Sequence, residues 1–340
     1  MLPFEADPMR PEDLAACLAA LRVGSKSFAT AARILPRRVR APATALYAFC
    51  RVADDAVDTE ADPRASVIRL RARLDAIYDN RPIDHPADRA FAAVVAEYEM
   101  PKELPAALIE GFEWDAQERR YDTLDALHAY CARVAGTVGA MMALLMGVRD
   151  APRLARACDL GVAMQLTNIA RDIGEDARNG RIYLPLDWLR EAGIDPVAWQ
   201  ARPEYTPALR DITHRMLANA DMLYARSEAG ISALPADCRS SIRAAGRIYA
   251  EIGRMVRAPG FDPVTTRAIV PKTRKLTLLA RAMLPRPARA LSLQQPPLDA
   301  TAYLVRAVPN DLAGNSLDQR IEWLIGVLAR VEGNGVKQQA

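Results

Sequence analysis

The segment Val162-Ala-Met-Gln165-Leu166-Thr-Asn168-Ile169-Ala-Arg171-Asp172-Ile173-Gly-Glu-Asp176 carries two patterns at once. Val162, Leu166, Ile169 and Ile173 recur at intervals of three and four, the period of an α-helix that buries one face. Asn168, Asp172 and Asp176 stand four residues apart and, with Gln165, form an oxygen-bearing stripe along another face. One helix over 151–178 accounts for both patterns.

The same period governs nearly the whole chain. Leu124, Leu127, Cys131, Val134 and Val138 repeat it, and no run alternates apolar and polar residues long enough to be a strand. The spacing predicts helices over about 11–34, 43–59, 63–79, 87–99, 103–120, 124–148, 151–178, 206–233, 236–258 and 272–283. Asp62-Pro63 and Thr206-Pro207 read as helix starts, and Gly180 and Pro259-Gly260 as stops. The expected fold is all-α, with one main domain over 1–284. Pro285-Arg-Pro287 and Gln294-Gln-Pro-Pro297 mark a proline-rich linker over 285–314. Leu317, Ile321, Leu324, Leu328 and Val331 share one face of a tail helix expected over 315–340.

Of the 340 residues, 51% are hydrophobic but only 6% aromatic, which suits packed helices and excludes disorder. Lys and Arg number 45 against 42 Asp and Glu, so no nucleic-acid partner is expected. Cys17, Cys50, Cys131, Cys158 and Cys238 are odd in number and never form a C-x-x-C pair, which argues for a reducing compartment. Residues 1–10 lack the apolar core of a secretory signal, and Val138 to Val148 is too short to span a bilayer. The expected location is the cytoplasm. Peripheral contact with the inner membrane is a further expectation, with Arg33, Arg37, Arg38 and Arg40 as the basic run that would meet acidic lipid.

A second acidic cluster, Asp54-Asp55-Ala-Val-Asp58, ends the segment that begins Ala45-Leu46-Tyr47-Ala48-Phe49. Asp54 and Asp58 are i, i+4 neighbours, about 5–6 Å apart on a helix, and repel unless a cation lies between them. Taken singly, an acidic run at a helix end is ordinarily solvated surface, and the helix dipole opposes anions there by about 0.3–1 kcal/mol each. Two spaced acidic pairs on two otherwise apolar helices change that balance, because they can face each other across a bundle core as inward carboxylates do in bundle metal sites. Mg²⁺ takes oxygen ligands and bridges carboxylates to phosphates, and Mn²⁺ suits the same donors. His85, His128 and His214 accompany neither cluster, which disfavours zinc and iron. Arg51 shares a face with Asp54 and Asp58, while Arg171 and Arg181 flank the other cluster; these are permanent cations suited to a diphosphate.

Five segments then carry a family likeness. They are Ser25-Lys-Ser27-Phe28; Tyr47-Ala-Phe-Cys-Arg51 with Asp54-Asp55-x-x-Asp58; Tyr130-Cys131-Ala-Arg-Val134-Ala-Gly136-Thr-Val-Gly139; Gln165 to Asp176 running on to Gly180-Arg181-Ile-Tyr183-Leu-Pro185; and Tyr249 with Gly260-Phe261-Asp262, Arg267 and Pro271-Lys272. From Cys17 to Lys275 the chain resembles the squalene/phytoene synthase family. Ala48-Phe-Cys-Arg-Val-Ala-Asp-Asp and Cys158-Asp-Leu-Gly161 are most similar to its carotenoid-forming bacterial branch. Val264, Thr273 and Ala132 depart from the usual Phe, Trp and Tyr, and bear on substrate fit.

The resemblance implies an isoprenoid-synthase-type bundle with a central apolar cavity. It implies a prenyltransferase that joins two geranylgeranyl diphosphates head to head through prephytoene diphosphate to phytoene, in carotenoid biosynthesis. Mg²⁺, or Mn²⁺, would be held by Asp54, Asp58, Asn168, Asp172 and Asp176; Asp55 lies about 100° round the helix. Tyr130 joins the four aspartates as catalytic. Substrate contacts would come from Ser25, Ser27, Phe28, Tyr47, Arg51, Val134, Gln165, Asn168, Arg171, Tyr249, Arg267 and Lys272. Phe28, Leu46, Val134, Val138, Met141, Leu145, Met164 and Leu166 are the candidates to line the cavity, with plain core the alternative for most of them, since Met and Leu at helical spacing fill any bundle. No nicotinamide is expected, since phytoene formation ends in proton loss, and the product would pass to a carotenoid desaturase. Squalene or dehydrosqualene synthesis from farnesyl diphosphate, head-to-tail chain elongation, and a non-catalytic assembly role are the alternatives.

Overall fold

Helix starts in this chain are set by short polar caps followed by proline. Asp62 accepts from the backbone N–H groups of Arg64 and Ala65 at 3.1 Å, Asp150 from Arg153 at 3.2 Å and Thr206 from Leu209 at 3.2 Å, each with Pro in the first turn. The computed structural model describes residues 9–24, 34–59, 62–284 and 293–309. The expectations for Ser25, Ser27, Phe28 and Arg33, and for the tail helix over 315–340, lie outside the described residues.

In chain order the helices are α1 (Pro11–Gly24), α2 (Arg37–Thr59), α3 (Pro63–Tyr78), α4 (Pro86–Glu97), α5 (Glu103–Ala116), α6 (Leu124–Cys131), a π-helical turn (Ala132–Gly136) and α7 (Thr137–Leu145). There follow α8 (Ala151–Arg178), α9 (Leu186–Glu191), α10 (Pro196–Ala201), α11 (Pro207–Ala233), α12 (Ala236–Val256), α13 (Lys272–Ala282), a 3₁₀ turn (Asp299–Thr301) and α14 (Ala302–Ala307). No β-strand occurs among the described residues.

The long helices stand where periodicity put them, and the differences have local causes. α2 begins at Arg37 rather than 43 and runs through Pro42; the carbonyl of Arg38, which Pro42 has no N–H to bond, accepts the Tyr98 hydroxyl at 3.4 Å instead. The helix expected over 124–148 is interrupted by the π turn, which inserts an extra residue beside Tyr130. α9 and α10 escaped the periodicity because each is only six residues long. Part of the stretch read as linker is helical: α14 buries Leu304 and Val305 in the main core. The chain is drawn back there by Arg156, a fully buried side chain of α8 paired with Asp159 at 2.7 Å, which donates to the carbonyls of Gln295 and Pro296 at 3.0 and 3.1 Å.

α8 is the central helix, with α7 and the π turn on one side and α11 and α12 on another. Two glycines set how closely it approaches its neighbours. A Cβ on Gly139 would stand 2.2 Å from the Ala157 carbonyl oxygen, and one on Gly161 would stand 2.2 Å from that of Ala135. Backbone therefore meets backbone between α8 and the segment that carries Tyr130 and Val134. Gly161→Ala is expected to destabilise the protein by about 1–3 kcal/mol in urea unfolding, because a main-chain atom must move; an unchanged midpoint would contradict this packing.

Candidate active site

The last turns of α2 place Arg51, Asp54 and Asp55 together. Arg51 pairs with Asp54 at 3.2 Å and with Asp55 at 2.5 Å. Asp58 is in the final turn of α2, but its side chain is outside what is described. On α8, Arg171 forms a two-pronged pair with Asp172 at 2.8 and 2.5 Å. Arg267, in the segment after α12, reaches Asp172 at 3.0 Å and Glu175 at 3.2 Å. One turn earlier, Asn168 donates to Gln165 at 3.3 Å, while its own Oδ1 is buried with no hydrogen-bond partner.

Asp54, Asp172 and Asp176 line one polar pocket of about 150 Å³, so α2 and α8 do turn their acids to the same space. This pocket adjoins an apolar cavity of about 260 Å³, and Gln165 and Asn168 line both. Val134, Val138 and Met164 line that cavity as expected, joined by Met142, Met146 and Leu160. Met141, Leu145 and Leu166 do not: they are fully buried core, one helical step from the cavity wall. Leu46 borders the passage of about 420 Å³ between the two spaces, together with Tyr47, Arg51, Arg171 and Tyr249. Lys272 is an exposed residue at the start of α13 and lines none of these spaces.

Tyr130 is buried, and its hydroxyl donates to Asp115 Oδ2 at 2.9 Å. Tyr183 donates to Oδ1 of the same carboxylate at 2.7 Å. Burial first, and the Asp115 charge second, push the Tyr130 hydroxyl well above the ordinary phenol range, so it stays protonated. Asp115 lines the polar pocket beside the three aspartates but was not picked out from sequence. It stands in the last turn of α5 with Glu113 two residues before it, not in a spaced acid pair, and the only signal was its place in Trp114-Asp115, six residues before Tyr121, whose ring lies 5.2 Å from that of Tyr130.

The donor set fits a hard divalent cation. The side chains facing the pocket offer carboxylate and amide oxygens, one of them orphaned, and no sulfur or imidazole. Burial, then the Asp172 charge, pushes the Asp176 carboxyl up to about 8, and a cation between the two acids would relieve that repulsion. Among the described residues no three His, Cys, Asp or Glu side chains come close enough to hold a metal alone, so water and substrate oxygens would complete the shell.

The squalene/phytoene synthase family model matches residues 21–277. The chain belongs to that family. The phytoene synthase of Rhodobacter capsulatus is 52% identical over 324 residues, covering 93% of this chain and 95% of the relative. That of Cereibacter sphaeroides is 51% identical over 337 residues, covering 94% of each. Among solved structures, a dehydrosqualene synthase in complex with ligand superposes with a TM-score of 0.71 at 30% identity, covering 80% of this chain and 95% of that one. Squalene synthase HpnC from Alicyclobacillus acidocaldarius gives 0.67 at 26% identity, covering 72% and 93%. As a squalene/phytoene synthase family member the chain is an isoprenoid-synthase-like helical bundle acting on a prenyl diphosphate.

The raised Asp176 has a measurable consequence. Without a cation the unfolded chain releases this proton first, so the group removes stability as pH rises from about 4 towards 8. A metal ligand must lose that proton, so the rise in thermal midpoint caused by Mg²⁺ should be larger at pH 8 than at pH 6. An equal rise at both, or none, would contradict the assignment.

Proposed function

We propose that this chain is a phytoene synthase, a prenyltransferase that condenses two geranylgeranyl diphosphates through prephytoene diphosphate to phytoene and releases two diphosphates. The observation that carries this reading is the opening of both acidic helix faces, on α2 and α8, onto one pocket continuous with an apolar cavity. The C20 substrate is supported by the relatives at 51–52% identity, which are phytoene synthases along nearly their whole length.

Asp54, Asp58, Asn168, Asp172 and Asp176 would hold Mg²⁺ or Mn²⁺. Such cations supply Lewis acidity that neutralises a departing diphosphate. Arg51, Arg171 and Arg267 are paired with the acids in the present arrangement. Their guanidinium forks match phosphate oxygens equally well, so they are poised to exchange a carboxylate for the diphosphate and hold it at the pocket mouth. Tyr47 and Tyr249 border the passage along which the chain then runs. Beyond it, Val134, Val138, Met142 and Leu160 present hydrocarbon only, which keeps water from the carbocations.

Tyr130 gives its O–H to Asp115, so toward the pocket it offers oxygen lone pairs. It can therefore stabilise a cation, or accept the proton lost in the final step while passing its own proton to Asp115. Asp115 is a positioning residue in this scheme, and Tyr183 braces it from the other oxygen. No nicotinamide takes part in a reaction that ends in proton loss, and handover of phytoene to a carotenoid desaturase is the corresponding next step.

Two measurements test this. Purified protein given geranylgeranyl diphosphate and Mg²⁺ should yield phytoene by mass, and farnesyl diphosphate should be consumed more slowly; squalene or dehydrosqualene as the preferred product would replace this reading with the C15 one. Asp172→Asn should lower kcat by at least about 100-fold. Asp115→Asn should also lower kcat, by about 100-fold with KM little changed, and make prephytoene diphosphate accumulate; equal losses in both half-reactions would reduce Asp115 to a structural role.

A further inference from the structure

From Pro263 to Leu298 the chain contains seven Lys and Arg and no Asp or Glu, in a protein whose whole net charge is +3. Within this stretch lies α13, which buries Leu278 and Ala282 against α12 and turns its opposite side outward. That outward side is not polar. Leu276 is 65% exposed, Met283 74% and Leu284 64%, and Ile269, just ahead of the helix, is 70% exposed. Leu276 and Ala280 share the outward face of α13 between Lys272 and Arg281, and Met283 and Leu284 follow directly after its last residue. Four of the most exposed large apolar side chains thus fall within sixteen residues, ringed by cations.

The same segment reaches the active site. Arg267, which pairs with Asp172, precedes Ile269 by two residues. The apolar patch and the pocket mouth are joined by a few residues of extended chain.

We propose that the Ile269–Leu284 face docks peripherally on an anionic lipid bilayer. An apolar stripe flanked by Lys and Arg is the pattern that seats a helix at the headgroup boundary, with hydrocarbon side chains inserted and cations among lipid phosphates. Arg267 and Arg274 of this stretch are paired with Asp172 and Glu251, so the charge complementarity rests on Lys272 and Arg281, which flank the apolar stripe, and a single partner class satisfies both features at once. Among the described residues no helix is long and apolar enough to cross a membrane, so the contact is peripheral. Of the basic run offered from sequence, Arg38 is paired with Asp237 at 2.9 Å and Arg40 donates to the Leu35 carbonyl at 2.9 Å. Docking through α13 would set the pocket mouth beside the bilayer, where long hydrocarbon substrates reside.

The test is vesicle flotation of the full chain, which needs no turnover and so stands apart from the identity of the substrate. Wild-type protein should float with phosphatidylcholine vesicles containing phosphatidylglycerol, weakly with phosphatidylcholine alone, and less as salt is raised. The Leu276→Ser, Met283→Ser, Leu284→Ser triple variant should lose at least about tenfold in bound fraction, and Arg281→Glu about fivefold or more on anionic vesicles. Circular dichroism and sedimentation verify that each variant is folded and in its original oligomeric state. Val197→Ser, at an exposed apolar residue elsewhere, should float like wild type. No flotation of wild type overturns the proposal, as does undiminished flotation of the triple variant. A triple variant that changes the oligomeric state would show that a second copy of the chain covers this face, and would overturn it too.

Discussion

Mutual repulsion of carboxylates in a half-buried pocket is the constraint around which this protein is arranged. Asp54, Asp172 and Asp176 could each be solvated cheaply on an open surface, yet the fold points them into one space and leaves Asp176 so short of water that its carboxyl holds its proton to about pH 8. Arg51, Arg171 and Arg267 pair with these acids and Arg181 lines the same pocket, so the charge is offset in part. Such an arrangement is costly for stability alone and becomes sensible when a cation and a polyanion complete it.

The scaffold meets that cost through backbone packing. α8 carries the second acidic stripe on one face and core residues on the others, and Gly139 and Gly161 let it lie directly against the segment bearing Tyr130. The π turn falls where this close approach, the cavity wall and Tyr130 coincide. The geometry of the phenol relative to the acids therefore depends on two residues with no chemistry of their own.

Much of this was legible in the chain because it obeys a period. Helix positions, the caps at Asp62 and Thr206, and the two acid pairs all repeat at intervals that a helix imposes, and the structure brings Asp54, Asn168, Asp172 and Asp176 to one pocket accordingly. What lacked a period was not legible. Asp115 belongs to no i, i+4 acid pair, and its partners Tyr130 and Tyr183 are distant in sequence. Beyond Val138, which faces the cavity as the period predicts, the wall continues at Met142 and Met146 by steps of four, while Met141 and Leu145 are core. α14 is fixed by the buried cation Arg156 reaching carbonyls well over a hundred residues away, which no local pattern announces.

The central claim is that divalent cations join α2 to α8. Crystals grown with Mn²⁺ and a non-hydrolysable thiodiphosphate analogue of the substrate would test it through anomalous scattering. The account predicts Mn²⁺ peaks between Asp54 and the Asp172–Asp176 pair, with analogue oxygens in their coordination shells. Analogue bound in the pocket with no Mn²⁺ there, or Mn²⁺ only at other sites, would contradict it.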